Sequence, residues 1–474
     1  MKQWLSLPVW GLSMIALNAQ ALSLDEYLSQ VVEKNRAFAS YRESKDAAEL
    51  RAEAGDVGLL PRLTLSYGEQ DDKKLPSALN ARNSKSTVYS AELSKRFVTG
   101  TNVSLTANAG DFENPGTTIP TFVKYGTAGL GVAVQQSLWK DAFGSGIRIR
   151  HERERYAKLL EKSNLDLQQR QVLLNAETLF WEYLTLKQDL DVRRQALGRA
   201  EKLASWMQKR VSDGIADRAD LLTMQALVQA RSLQLMNGKD DLVALEQKVK
   251  DTLEMPINGP TPELVGNLAK RRELKSLVQN SNQSKVLSYD AFLNLVQAKL
   301  KAKAADEVAD GYSADLILEG SYNTNAYSTS GLATAQNDIA NTDRPTSKVG
   351  IRWVYLFDTS VKDAAVKTAR MDGLAAKTIS ERKMAESEMQ WSELNRRYAE
   401  LSNKIETAQR LAAIQSDRAR EESLRLNRGR SITSNVINAE QDAQDADLSV
   451  IRLRAEQRKL EAQTRMFIAV EGNI

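Results

Sequence analysis

The sequence predicts a mixed α+β membrane protein, in which long coiled-coil helices carry β-strands that several copies of the chain pool into one transmembrane barrel. Three observations lead there. Two heptad-bearing stretches run for about 70 residues each, isolated runs of period-two alternation stand between helices, and an internal two-fold repeat carries one half of the chain onto the other.

Composition narrows the field first. The chain has 474 residues, 42% hydrophobic and 27% charged, with 6% aromatic. Its 65 Lys and Arg nearly balance 61 Asp and Glu, so no one-signed field favours nucleic acid. No apolar run of about 20 residues follows the N-terminus, which excludes a bundle of transmembrane helices. The absence of Cys removes thiol catalysis, disulfides and thiolate metal sites together, and one His, His151, leaves no multi-histidine site. These counts disfavour a conventional enzyme, and no cofactor is expected.

Residues 1–21 read as an address. Lys2 supplies positive charge, Leu5 to Leu17 a short apolar stretch, and Ala19-Gln20-Ala21 a small-x-small cleavage site of a secretory signal peptide. Pro8 and Gly11 count against a buried N-terminal helix instead. Residue 22 is Leu, so a cysteine acceptor for a lipid anchor is missing there.

A first structural repeat is expected over 22–255: helix (about 23–55), strands (61–138), long helix (141–212) and helix (218–253). Residues 256–282, rich in Pro, Gly and Asn, form a connecting segment. A second repeat follows over 283–474: helix (about 283–310), strands (314–357), long helix (360–428) and helix (432–468). In the first long helix Ala176, Leu179, Tyr183, Leu186, Leu190, Leu197, Ala200, Ala204 and Val211 keep 3-4 spacing, as do Trp391, Leu394, Tyr398, Leu401, Ile405, Ala412, Ala419 and Leu426 in the second. One offset of 215 superposes the two series, Tyr183 on Tyr398 (398 − 183 = 215), Gly214 on Gly429, and Leu221 and Val228 on Val436 and Ala443. Rods of roughly 100 Å must pack as coiled coils rather than inside a globule. A solvated scaffold would show the same heptads.

The strands discriminate. Ala128, Leu130, Val132, Val134 and Leu138 alternate with Thr127, Gly129, Gly131, Gln135 and Ser137. Val349, Ile351, Trp353, Tyr355 and Phe357 alternate with Lys348, Gly350 and Arg352; Leu63, Leu65 and Tyr67 with Thr64 and Ser66; Leu316, Leu318 and Tyr322 with Glu319, Ser321 and Asn323. Such runs cross an outer membrane with an apolar outside and a wet inside. A soluble sandwich cannot form from strand sets parted by long rods, and open edges cannot sit in lipid.

With these features the sequence resembles the TolC-type outer-membrane efflux proteins over nearly all of its mature length. The resemblance is carried by the duplicated plan, by the strand-to-helix passages Gln136-Ser137-Leu138-Trp139 and Tyr355-Leu356-Phe357-Asp358, and by two hairpin turns. These turns read Gly214, Asp220-Leu221-Leu222 and Gln225, then Gly429, Asn435-Val436-Ile437 and Glu440. The family implies a homotrimer whose strands form one barrel in the outer-membrane lipid and whose helices form a periplasmic tunnel. The tunnel docks on a periplasmic adaptor (membrane fusion) protein and through it on an inner-membrane pump, in efflux or type I secretion. No catalysis belongs to such a duct.

Residue by residue, the resemblance makes Gly214 and Gly429 the adaptor-docking tips, where a missing Cβ permits tight reversal. It makes Asp220 a tip acid held by inter-helix links, here with Arg428 or Arg430. Asn435 and Asn438 fall where relatives place aspartates that ring the closed entrance, a departure that removes charge from those positions. On the same helical face Asp442 and Asp445 follow at steps of three and four, and stand as the candidate lumen carboxylates. The alternative for these two is an ordinary solvated face, paired with Arg452.

The break at Val98-Thr99-Gly100-Thr101 divides the first strand region into four strands (about 61–69, 86–97, 101–110 and 126–138), so six are expected per protomer and roughly 18 in a trimer. The rival is a hairpin 86–110 folded away from the sheet. A non-pore periplasmic coiled-coil scaffold or adhesin is the alternative function, and a lytic enzyme a distant third.

Overall fold

The computed structural model describes residues 21–73, 84–115, 120–278, 285–357 and 359–470. Of the expected signal peptide only Ala21 falls within them, and Asp358 lies outside. In chain order the elements are α1 (Leu24–Lys34), α2 (Arg36–Ala54), β1 (Arg62–Asp72), β2 (Ser84–Arg96), β3 (Thr101–Glu113), β4 (Lys124–Ser137), α3 (Ser145–Ser212) and α4 (Arg218–Thr252). Then come α5 (Leu274–Leu277), β5 (Lys285–Ser288), α6 (Tyr289–Gly311), β6 (Asp315–Asn323), β7 (Ala326–Ser328), α7 (Leu332–Asn337), β8 (Thr346–Val354), α8 (Thr359–Asn427), α9 (Thr433–Gln463) and β9 (Phe467–Val470). No helix among the described residues is long and apolar enough to cross a membrane.

The chain divides into two compact units. The first comprises 45–163 and 293–383 and holds an antiparallel sheet of order β1-β2-β3-β4-β6-β8, with the short β7 also on β4. Residues 84–113 therefore supply two full strands of the sheet, paired Lys85↔Glu113 through Arg96↔Asn102, rather than a separate hairpin. β1 and β8 each pair on one side only, so within one chain the sheet is open. Its passage into α3 is fixed by Asp141, buried at the strand end. The Asp141 carboxylate accepts from Arg96 Nη2 at 2.8 Å and from the backbone N–H of Gly146 at 2.9 Å, which satisfies a donor of the first helical turn.

The second unit comprises 1–44, 164–292 and 384–474. Predicted heptad positions Ala176, Tyr183, Leu190 and Ala200 of α3 and Leu394, Tyr398, Leu401, Ala412, Ala419 and Leu426 of α8 are buried. Two layers between α8 and α9 are almost wholly alanine, Ala412 with Ala446 and Ala419 with Ala439 and Ala443. The largest cluster gathers Tyr27, Phe180, Trp181 and Leu184 around Leu264 and Leu268 of the connecting segment.

Three expectations need correction. The helix expected over 23–55 is broken at Asn35, which closes α1 in extended backbone; its Oδ1 then accepts from Phe38 N at 3.0 Å and so opens α2. The helix expected from 283 starts at Tyr289, because 285–288 pair with 467–470 as a small sheet that also ends α9 at Gln463. The strand region 314–357 contains α7 and β7 between its two long strands.

Candidate functional site

The two helix turns have the same backbone. Gly214 and Gly429 lie at φ +70° and +72°, the left-handed region that costs a Cβ-bearing residue about 1–2 kcal/mol. Gly214 N donates to Val211 O at 3.1 Å and Ile215 N to Arg210 O at 2.8 Å; Gly429 N donates to Leu426 O at 2.9 Å and Arg430 N to Arg425 O at 2.8 Å. These are Schellman bonds that satisfy the last carbonyls of α3 and α8. A Cβ at either glycine would meet nothing within 4 Å, so conformation rather than crowding calls for glycine. Leu203, Met207, Leu221, Met224, Leu426 and Val436 form one apolar core beneath both turns.

The turns differ in how the next helix begins. Asp217 accepts from Ala219 N at 3.0 Å and caps α4, whereas Ile432 offers α9 no side-chain cap. Instead Ser431 Oγ donates to Glu422 Oε2 at 2.6 Å. The expected tip link is not made within the chain. Asp220 is half-buried on the first turn of α4, Arg428 and Arg430 are exposed, and among the described residues no ion pair joins them.

Asn435, Asn438, Asp442 and Asp445 share an exposed stripe of α9, beside the buried stripe of Val436, Ala439, Ala443 and Ala446. Asp442 is paired, but with Arg418 of α8 at 3.0 Å rather than with Arg452. Asp445 accepts from Gln441 Nε2 at 2.8 Å. Gln441 Oε1 in turn accepts from buried Arg231 Nη2 at 2.5 Å, and Glu440 accepts from Arg199 at 2.7 Å. Burial pushes the Arg231 guanidinium below its ordinary value, opposed by Asp445 and Glu440. Arg199, Arg231 and Arg418 escaped the sequence reading because each meets α9 from a different helix.

The sheet has one apolar and one polar face. Leu65, Ala91, Ala107 and Leu130 stand side by side across β1–β4, as do Leu63, Leu93, Leu105 and Val132. Leu65 is 71% exposed and Val349 82%. The other face carries Ser66 hydrogen-bonded to Ser90 at 2.6 Å and Arg352 paired with Glu319 at 2.6 Å. Aromatic rings on the apolar face gather at two levels, with Tyr322, level with Val132, between them. In one, Tyr67 packs on Tyr89 at 5.3 Å, level with Ala109 and Ala128. In the other, Trp353 stacks on Tyr355 at 5.6 Å; Trp353 pairs with Leu316, to whose carbonyl Leu138 N donates. The rows meet β4 at Ala128 and Leu138, ten residues apart (138 − 128 = 10), which is about 34 Å along the strand.

No protein-family model matches the sequence, and no curated protein matches it. Solved structures do. VceC, an outer membrane protein of Vibrio cholerae, superposes with a TM-score of 0.67 at 10% identity over 93% of this chain and 94% of its own. The outer-membrane channel OprN gives 0.67 at 13% identity over 94% and 89%. The open-state MtrE outer membrane channel of Neisseria gonorrhoeae gives 0.64 at 12% identity over 94% and 88%. The chain thus has the helix-rich α+β fold of the TolC-type outer-membrane efflux channels.

Proposed function

We propose that this protein is the exit duct of a tripartite efflux or type I secretion system, placed in the outer membrane and extending into the periplasm. The spacing of the two aromatic rows carries the reading. Strands tilted by 35–45° turn about 34 Å of strand into a height of about 25 Å, the height of the apolar band of an outer-membrane barrel with its flanking aromatic girdles. Between the rows lie exposed Leu, Val and Ile, with Tyr322 and Lys95 among them, and both sheet edges are unpaired. Lipid satisfies the first and neighbouring copies satisfy the second, since an open edge is not tolerated in hydrocarbon. Three copies of six strands make a barrel of 18 (3 × 6 = 18), wide enough for an aqueous lumen.

The matched Schellman turns, bond for bond at an offset of 215, support an internal duplication of the chain. In this reading the tips carrying Gly214 and Gly429 dock a periplasmic adaptor, an inner-membrane pump supplies the energy, and the duct performs no reaction. A signal peptide at 1–21 delivers it. The test is reconstitution. The purified protein should run as a heat-modifiable trimer in mild detergent and give discrete conductance steps in planar bilayers. A soluble periplasmic monomer without conductance would identify a scaffold instead.

A further inference from the structure

The single histidine of the chain sits beside two carboxylates. His151 and Glu154 lie three residues apart on one face of α3, and Asp56 comes from the turn 55–59 that leads into the edge strand β1. One ligand atom from each lies within 4.8 Å of the other two.

Three details distinguish this cluster from a surface ion pair. First, His151 Nε2 is itself covered, although the side chain is 35% exposed, and it makes no well-formed hydrogen bond with Asp56 Oδ1 standing 2.8 Å away. Second, Glu154 divides its oxygens. Arg150 and Arg153 approach Oε1 at 3.9 and 3.6 Å, while Oε2 faces Gly55, where an added Cβ would come within 3.4 Å. Third, Arg153 is also engaged with Glu307 at 3.0 Å, so its charge is shared with a second acid.

From this geometry we propose that Asp56, His151 and Glu154 bind a divalent transition-metal ion, one per chain. Imidazole Nε2 and two carboxylate oxygens bind Zn²⁺ at about 2.0–2.2 Å, which sets tetrahedral ligands about 3.4 Å apart. The His151–Asp56 contact at 2.8 Å must therefore open by about 0.6 Å, while all three ligand atoms already lie within 4.8 Å of one another. One neutral imidazole and two carboxylates balance the charge of the ion. The nitrogen ligand favours Zn²⁺, Ni²⁺ or Cu²⁺ over Mg²⁺ and Ca²⁺, which prefer oxygen alone. The ion would tie the turn ahead of β1 to α3. The site is built within one chain and stands independently of the channel reading.

Full-length protein without a histidine tag, in mild detergent and stripped with EDTA, is titrated calorimetrically with ZnCl₂. One Zn²⁺ per chain is expected, with binding weakened about 10-fold or more in His151→Ala and in Glu154→Gln. Asp56→Asn is close in shape and serves as the variant least able to disturb folding; it too should bind more weakly with an unchanged circular dichroism spectrum. Zinc affinity that survives His151→Ala, an absence of saturable binding at one equivalent, or equal displacement by MgCl₂ would each overturn the proposal.

Discussion

Arg458 and Glu461, one turn apart on α9, form an ion pair at 2.7 Å with side chains 0% and 1% exposed. Glu461 also accepts from Tyr398 of α8 at 2.8 Å and from the backbone of Arg272 at 3.1 Å, while Arg458 donates to the carbonyl of Lys270. The pair therefore fastens the connecting segment to α8 and α9. Burial pushes the Glu461 carboxyl up and the Arg458 guanidinium down, and each opposes the shift of the other. Such a pair is costly to desolvate and yields little net stability, yet it leaves a buried charge stranded when one member is lost. Glu461→Ala should accordingly destabilise by about 3–5 kcal/mol, and the double change Arg458→Leu with Glu461→Leu should recover most of it. Denaturant unfolding followed by circular dichroism measures both; additive losses would refute the coupling.

At the tips, the positive φ of Gly214 and Gly429 with open space around them separates two substitutions. Gly214→Ala should cost about 1–2 kcal/mol, whereas Gly214→Asn should cost less, because Asn enters the left-handed region more readily. Hydrogen exchange at Ile215, whose amide closes the turn on Arg210, should quicken in the Ala variant first. Equal exchange in both variants would argue against conformational strain.

The Asp310 carboxyl of α6 is held above its ordinary value by burial and, second, by the charge of Asp141, with Asp315 and Glu307 adding and Lys140 opposing. A raised folded value means that the favourable contribution is complete below the unfolded value of about 3.9 and is lost as pH rises through the folded one. Asp310→Asn imitates the neutral form. Its midpoint of thermal unfolding should exceed that of the parent at pH 7, and the gap should close near pH 4. A gap independent of pH would assign the effect to something other than titration.

How much of this was legible in the sequence follows from the range of each interaction. Strands announce themselves because apolar and polar side chains alternate along them, so Leu65 against Ser66 is readable at sight; Gly100 marks the turn that divides β2 from β3. The long helices are readable because Tyr183 and Tyr398 recur in step. Asn35 was missed because an amide inside a helical pattern looks like any polar position until its Oδ1 is seen capping Phe38. β5 and β9 are four residues each and pair across 179 to 185 positions (467 − 288 = 179 for Ser288↔Phe467, 470 − 285 = 185 for Lys285↔Val470), so no local pattern reveals them. Arg458 and Glu461 look in sequence like a solvated i,i+3 pair, and their burial depends on the connecting segment folding over them.

The face of α9 carrying Asn435, Asn438, Asp442 and Asp445 yields the final prediction, which rests on that face lining a pore. Asp442 is paired with Arg418 at 3.0 Å, which offsets part of its charge, so in this state Asp445 carries the larger share of any cation preference. Arg418→Ala should release the Asp442 carboxylate and raise the potassium-to-chloride permeability ratio. A freed unit charge about 7 Å from a passing ion in water is worth about 0.6 kcal/mol, a factor of roughly three in cation occupancy. Asp442→Ala with Asp445→Ala should lower the ratio, and the effect of Arg418→Ala should vanish in that background. Bilayer measurements at low salt check all three, because screening at high ionic strength weakens the contrast. Ratios that stay constant across the set would place these carboxylates outside the ion path.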